Sequence, residues 1–223
     1  GKPVIRGNFT LYDAELRIEA DAPPIQALNI CAVLQDTVLV IERAEGVVST
    51  IPFQLTGSVT TTDWRHFKTD GNIRVLGNPV FNGSGTFTND TFDCNVRIAD
   101  FDVALLQAFT AAFPNLGGKA NAVLSLSGRY KNPELVGSLQ LSDLTFQVPF
   151  FNIPVTRGFA AATFDHEAVF LDSLIAQLEN GKIRASGTAV YNRDGMSQLA
   201  VNANLSAITL KRPKNFSLVI DSA

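Results

Sequence analysis

The residues able to do chemistry are few and far apart. Histidine occurs only at His66 and His166. Neither lies near a cysteine or an acidic pair at metal-ligand spacing. His166 falls in Asp165-His166-Glu167, a turn-like stretch where a solvated imidazole is expected. Cys31 and Cys94 sit in alternating runs as small apolar residues would, and spacing alone does not decide whether they pair. Asp13, Asp100 and Asp143 recur, one per repeat, at places where the apolar pattern changes phase. They could form a carboxylate site, but one acid at each kink is better explained by turn chemistry, since Asp tolerates irregular backbone. Gly83-Ser84-Gly85 lies between strands with no helix after it, so it lacks the context of a phosphate cradle. Asn-x-Ser/Thr triplets begin at Asn8, Asn82, Asn89, Asn204 and Asn215, as chance allows in a chain rich in Asn and Thr. Nothing assembles a nucleophile, a base and an oxyanion site. The expectation is a non-enzyme with no catalytic residues, no cofactor and no metal.

What the chain does instead is repeat. Pro3-Val4-Ile5-Arg6-Gly7 returns as Pro79-Val80-Phe81-Asn82-Gly83 and as Pro133-Glu134-Leu135-Val136-Gly137. Sliding the chain by 130 residues lays 3–59 on 133–189 without a gap. Pro3, Gly7, Leu11, Asp13, Pro24, Ala32 and Gly57 then meet identical residues. A second overlay, by 110, lays Gly71–Gly77 on Gly181–Gly187. The chain is read as one elongated β-repeat domain over 1–223, with imperfect units near 1–78, 79–132 and 133–223. A period of this kind points to a stacked, quasi-one-dimensional architecture.

Composition narrows the partners. Of 223 residues, 46% are apolar and 17% charged, the latter below the usual quarter of a soluble domain. Phe occurs 16 times, and the formal net charge is −3. That balance gives no nucleic-acid footprint, and no basic block addresses anionic headgroups. No signal peptide is evident, and no apolar run reaches a membrane span. The chain opens in mid-pattern, so a longer parent carrying any anchor is expected.

The elements that would position a site are strands. Phe92, Cys94, Val96 and Ile98 alternate with polar residues, as do Leu135, Leu139 and Leu141, and Leu199, Val201, Ala203 and Leu205. Such strands have one dry and one wet side, as in antiparallel sheet. A two-residue phase shift recurs where Leu11 gives way to Ala14, Ile98 to Phe101, Leu141 to Leu144 and Leu205 to Ile208. A bulge is expected at each, because Ala99-Asp100, Ser142-Asp143 and Ser206-Ala207 lack the Gly or Asn of tight hairpins. Hairpin turns are expected at 69–71, 89–90, 165–167, 179–181 and 192–195. Pro23-Pro24 and Pro149 to Pro154 read as loops. One helix is expected over 103–113, capped by Asp102, with Leu106, Phe109 and Phe113 on one stripe. It would plug the dry face or cover an edge, or else act as a gate. Residues 63–68 read as a lone helical turn or a loop.

Leu124-Ser125-Leu126-Ser127-Gly128-Arg129 running into Asn132-Pro133-Glu134-Leu135-Val136-Gly137 resembles the TamB family of translocation and assembly module proteins. So does the continuation from Ile153-Pro154 through Phe164-Asp165 to Gly181-Lys182-Ile183-Arg184-Ala185-Ser186-Gly187. The pattern is shared with the wider AsmA-like group, and the Phe-rich middle and 63–72 depart from it. The resemblance implies a β-taco: an elongated antiparallel sheet folded into a U-shaped apolar trough. It further implies the periplasmic portion of an inner-membrane-anchored protein. The partners would be an Omp85-type outer-membrane barrel, TamA- or BamA-like, and a phospholipid or unfolded β-barrel client in the groove.

Elementary physics is compatible with that implication. A sheet with one dry side must bury it against another layer, and this chain offers one short helix. An acyl chain of about 16 carbons would gain roughly 10 kcal/mol in such a trough before entropic costs. Candidate groove-lining residues are Phe9, Leu11, Leu16, Phe92, Val96, Ile98, Leu139, Leu141, Leu144, Phe146, Leu199, Val201 and Leu205. Leu106, Phe109 and Phe113 form the candidate plug. The alternatives are a closed structural β-solenoid or sandwich segment of a surface protein, and a discrete lipid-binding carrier.

Overall fold

A computed structural model describes residues 5–17, 23–61, 63, 65–108, 114–148, 153–178, 181–192, 195–212 and 216–222. The chain is all-β, as its period-two alternation requires. The strands are β1 (Arg6–Leu16), β2 (Ile25–Gln35), β3 (Val38–Val48), β4 (Ile51–Thr61), β5 (Phe67–Val75), β6 (Asn78–Phe87) and β7 (Thr91–Asp102). They continue as β8 (Gly117–Arg129), β9 (Asn132–Val148), β10 (Ile153–His166), β11 (Ala168–Leu178), β12 (Gly181–Asn192), β13 (Gly195–Arg212) and β14 (Phe216–Ser222). Their order in the sheet is their order in the chain, and the sheet does not close into a barrel. Contacts divide the chain into two bodies, Gly1–Ala99 with Ser125–Pro133, and Asp100–Leu124 with Glu134–Ala223.

Register shows the expected bulge at two of the four places. In β1, Leu11 pairs with Ile30 and Ala14 with Leu28, so Tyr12 and Asp13 face Asn29 alone. In β9, Leu141 pairs with Ala160 and Leu144 with Gly158, so Ser142 and Asp143 face Phe159 alone. β7 runs unbroken through Asp100. Asp13, Asp100 and Asp143 have φ of 48°, 49° and 51°, the left-handed region that Asp visits more readily than most residues. The irregular backbone exposes an N–H that needs a partner. Asn29 Oδ1 accepts from Asp13 N–H at 3.1 Å, and Asn121 Oδ1 accepts from Asp100 N–H at 3.0 Å. The fourth place differs. β13 pairs with β14 without a shift from Ser206 to Arg212, so no bulge interrupts that register.

The 130-residue repeat extends to the hydrogen-bonded ladders. Leu11↔Ile30, Ala14↔Leu28 and Leu16↔Ile25 in the first body become Leu141↔Ala160, Leu144↔Gly158 and Phe146↔Val155 in the second. Ile41↔Gly57 and Ala44↔Leu55 become Leu171↔Gly187 and Leu174↔Ala185, bulge included. Gly57↔Gly71 and Phe53↔Val75 become Gly187↔Val201 and Ile183↔Leu205. Five strands, β1 to β5, thus share their registers with β9 to β13. The 110-residue overlay has no such counterpart: it would lay β5 on β12, which have different partners.

Two further expectations need correction. Residues 69–71 are not a turn but lie inside β5. Gly71 pairs with Gly57 on one side and Gly83 on the other. A Cβ on Gly57 would collide with the Asp70 carbonyl, so the glycine serves close backbone approach. The helix of 103–113 is a 3₁₀ helix over Val103–Ala108, and 109–113 lie outside the described residues. Asp102 does cap it, its Oδ1 accepting from Ala104 N–H at 3.0 Å. The turn at 89–90 and the one around His166 form as expected. The middles of the other two, 179–180 and 193–194, lie outside the described residues. Pro154 belongs to β10, at its second residue, where a strand tolerates proline.

The bulge at Asp143 is a local conformational requirement. Asp143→Gly should leave the urea midpoint unchanged or raised, because glycine adopts positive φ without cost. Asp143→Val should lower stability by roughly 1–2 kcal/mol through left-handed strain.

Candidate functional site

Cross-strand partners point to the same side of a sheet. In the first body the register therefore gathers one row after another on one face. Phe9 and Leu11 stand beside Ala32 and Ile30, which stand beside Ile41 and Ala44, then Gly57 and Leu55. The row continues through Gly71 and Ile73 to Gly83 and Phe81, and ends on Val96 and Ile98. In the second body, Leu139, Leu141, Leu144 and Phe146 stand beside Ala162, Ala160, Gly158 and Val155. Beyond them come Leu171, Leu174, Ala176 and Leu178, then Gly187, Ala185 and Ile183, then Val201, Ala203 and Leu205. Every residue of both rows is apolar or glycine.

The candidate lining residues all fall on these faces, at unequal depth. Leu144 is buried at 7% exposure, while Leu11, Phe92, Val96, Ile98, Leu139, Leu141, Phe146 and Leu205 are half-buried. Phe9 at 53%, Leu16 at 46%, Leu199 at 59% and Val201 at 57% are exposed. Buried apolar clusters are small. One joins Val155, Ala176 and Leu178, with Phe146, Ile183 and Leu205 against it. The other joins Val103, Ala120 and Leu144, with Phe101, Leu116, Leu139, Leu141 and Ala160 against it. Val103, from the 3₁₀ helix, thus packs on the dry face of the second body, as a plug would. Leu106 does not: it is 41% exposed. Phe109 and Phe113 lie outside the described residues. No described side chain is covered to below 2% exposure.

The sequence reading missed the part of this face carried by β2, β3 and β4, where Leu28, Ile30, Ile41, Phe53 and Leu55 stand. Their alternation is blurred because Val33, Val38, Val40 and Val47 put apolar residues on the other face too. The registers with β1 and β5 reveal them.

The opposite face is wet. Ser58 donates to Asp70, Asn82 donates to Asn72 at 2.5 Å, and Thr163 donates to Asp172 at 2.7 Å. A shallow concavity of about 450 Å³ on this side is lined by Asp172, Arg184, Ser186, Asn202 and Asn204. Cys31 belongs to the wet face, where its thiol donates to Glu42 at 3.5 Å, and that bond raises its pKa first, burial second. Cys94 belongs to the dry face, where burial raises its pKa. Neither forms a disulfide.

The two histidines organise loops. Between β4 and β5, Asp63 Oδ1 accepts from the N–H groups of Arg65 and His66 at 3.0 and 2.9 Å. Its Oδ2 meets His66 Nδ1 at 2.7 Å. The Arg65 backbone bond, then the His66 side chain, hold Asp63 down to about 2. The described residues here, 63, 65 and 66, are not helical, and 67–68 open β5. At the β10–β11 turn, His166 Nδ1 lies 2.6 Å from Asp165 and Nε2 lies 3.7 Å from Glu134. Among the described residues, no three His, Cys, Asp or Glu are placed to hold a metal. No helix among them is long and apolar enough to cross a membrane.

No family model, curated protein or solved structure matches this chain.

The hydrogen bond to Asp165, and then the charges of Asp165, Glu134 and Glu167, raise the pKa of His166 above its ordinary 6.5. A raised value in the folded state means the interaction is fully present below 6.5 and is lost as pH rises through the raised value. An NMR titration should show His166 titrating above 6.5. In thermal melts, the advantage of the native chain over His166→Gln should fade as pH rises past that point.

Proposed function

We propose that this chain is a segment of a TamB-like envelope bridge whose apolar sheet face holds phospholipid acyl chains in transit between membranes. The observation that carries the reading is the apolar face itself. In each body it runs unbroken across at least five strands, and it includes side chains that stand more than half exposed, Phe9 in one and Leu199 and Val201 in the other. An apolar face of this extent left in water is unfavourable, and on a protein it marks a site for a partner, a ligand or a membrane. Acyl chains are uniform apolar rods. They need no specific polar contacts, and the face offers none, since its polar partners all point the other way. The curling of the sheet into a U-shaped trough, the periplasmic setting and the Omp85-type barrel partner belong to this proposal and rest on the resemblance.

A nascent barrel strand is the second client the resemblance allows. It would add its backbone to a sheet edge rather than lie on the face. The breadth of the face across strands favours lipid.

Native mass spectrometry of the purified chain should detect co-purified phospholipid. A photoreactive residue in place of Leu199 or Val201 should crosslink to acyl chains. Leu199→Arg with Val201→Arg should abolish lipid retention and shift the melting midpoint little, because both side chains are already more than half exposed. A preparation free of lipid, or retention unaffected by the two arginines, would overturn the reading. A severe loss of stability in that variant would instead favour a closed structural core.

A further inference from the structure

The 130-residue repeat lets the wet faces of the two bodies be compared position by position. In the first body, Arg43 pairs with Glu45. Glu45 faces Gln54, and Gln54 faces Arg74. The equivalents in the second body are Ser173, Ile175, Arg184 and Asn204. A cation now stands in the middle, with Ile175 on one side and Asn204 on the other. A second cation follows on the same strand: Lys182, where the first body has Pro52.

Lys182 and Arg184 share one side of β12 and lie about 7 Å apart along it. Like charges at that spacing repel, a cost that a bound anion removes. Among the described residues, neither side chain has an ion pair or a hydrogen bond. The ground around them is concave. The hollow of about 450 Å³ that holds Arg184 and Asn204 shares both residues with a second, of about 360 Å³, lined also by Lys182 and Ser206. Hollows of this volume are of the size that takes small ligands. One end therefore offers a guanidinium, an ammonium, an amide and a hydroxyl, the donors that hold a phosphoryl group. The other end is different. There Asp172 and Ser173 face Ser186 at a bulge, with Asn202 beside them. Asp172 Oδ2 already accepts from Thr163, which leaves its other oxygen to accept. A carboxylate, an amide and a hydroxyl together both donate and accept, as hydroxyl groups of a ligand require.

We propose that this hollow, on the wet face across β11, β12 and β13, binds the phosphate ester of a small polyol. Arg184 and Lys182 take the phosphoryl oxygens, with Asn204 and Ser206 donating beside them. Asp172 and Asn202 take the hydroxyl groups at the far end, and the placement of the carboxylate away from Lys182 sets the ligand's direction. The first body has no such site, because Gln54 and Pro52 stand where the two cations would be. The hollow lies on the side of the sheet opposite the apolar face, so it stands or falls independently of the acyl-chain reading.

The probes are glycerol 3-phosphate and inorganic phosphate, titrated into the whole chain by calorimetry. Glycerol 3-phosphate should saturate a single site and bind more tightly than inorganic phosphate. Lys182→Gln with Arg184→Gln should weaken that binding by about tenfold or more. The same pair should leave the melting midpoint unchanged or raise it, because it removes a repulsion and breaks no contact. Asp172→Asn should narrow the preference for the ester over inorganic phosphate. Arg74→Gln, at an exposed cation of the first body, should change nothing. Vesicles of phosphatidylglycerol, compared with phosphatidylcholine, distinguish the source of the ester. Vesicle binding that the double variant abolishes would assign a lipid headgroup, whereas no vesicle binding, or binding that the variant retains, would assign a soluble ester. No saturable binding of glycerol 3-phosphate, no preference over inorganic phosphate, or a preference that Asp172→Asn leaves intact would overturn the proposal. So would an equal loss on Arg74→Gln, or a lowered melting midpoint in the double variant.

Discussion

The structure depends on keeping one side of every strand dry. In a strand the side-chain period is two, so one extra residue would turn the apolar set of all that follows to the wet side. This chain inserts extra residues repeatedly and never loses the dry face. The device is a two-for-one bulge in which an aspartate takes positive φ, so that Leu11 and Ala14, or Leu141 and Leu144, point the same way. At Asp13, and at Asp100 with the same positive φ, the asparagine that accepts from the N–H stands on the adjacent strand. The kink is therefore held by its neighbour and not only by its own sequence. What looked in the sequence like a recurrent acid is a backbone residue doing a conformational task.

The same constraint explains why the repeat is so regular at the level of pairing and so loose in residue identity. Ladder position decides which face a residue occupies, and the face decides whether it is apolar. Leu16 and Phe146 are different residues in equivalent positions, as are Gly46 and Ala176, and each pair keeps the face apolar. Glycines are less exchangeable. Gly57 and Gly187 recur because a Cβ on either would press into the carbonyl of the strand beyond, Asp70 in one body and Ala200 in the other. Identity is retained where backbones approach closely, and only character is retained where side chains lie on an uncovered face.

This division also separates what was legible in the sequence from what was not. Strands with a clean polar side were legible: β6, β7 and β9 alternate plainly, and the phase shifts at Asp13 and Asp143 carried their bulges in plain view. The 130-residue offset was visible through Pro, Gly and Asp coincidences. Three things were hidden. Asp70-Gly71 resembles a turn, because glycine signals both tight turns and close approach, and only the partner strands distinguish the two. Val103 to Ala108 carries apolar residues at helical spacing, but its backbone forms the tighter 3₁₀ turn. The share of the dry face held by β2 to β4 was obscured by valines on both sides of those strands, and such strands reveal their inner face only through register.

Uneven burial along the face is the remaining fact that a functional account must satisfy. An ordinary domain places a second layer on such a face and drives some side chains to full burial. Here, among the described residues, the two buried clusters have three members each, and one of them includes Val103 of the 3₁₀ helix. A stable fold with so little covered core must draw much of its cohesion from the ladders themselves, strand on strand. That cohesion leaves the face free of structural duty at its margins, where Leu199 and Val201 stand exposed.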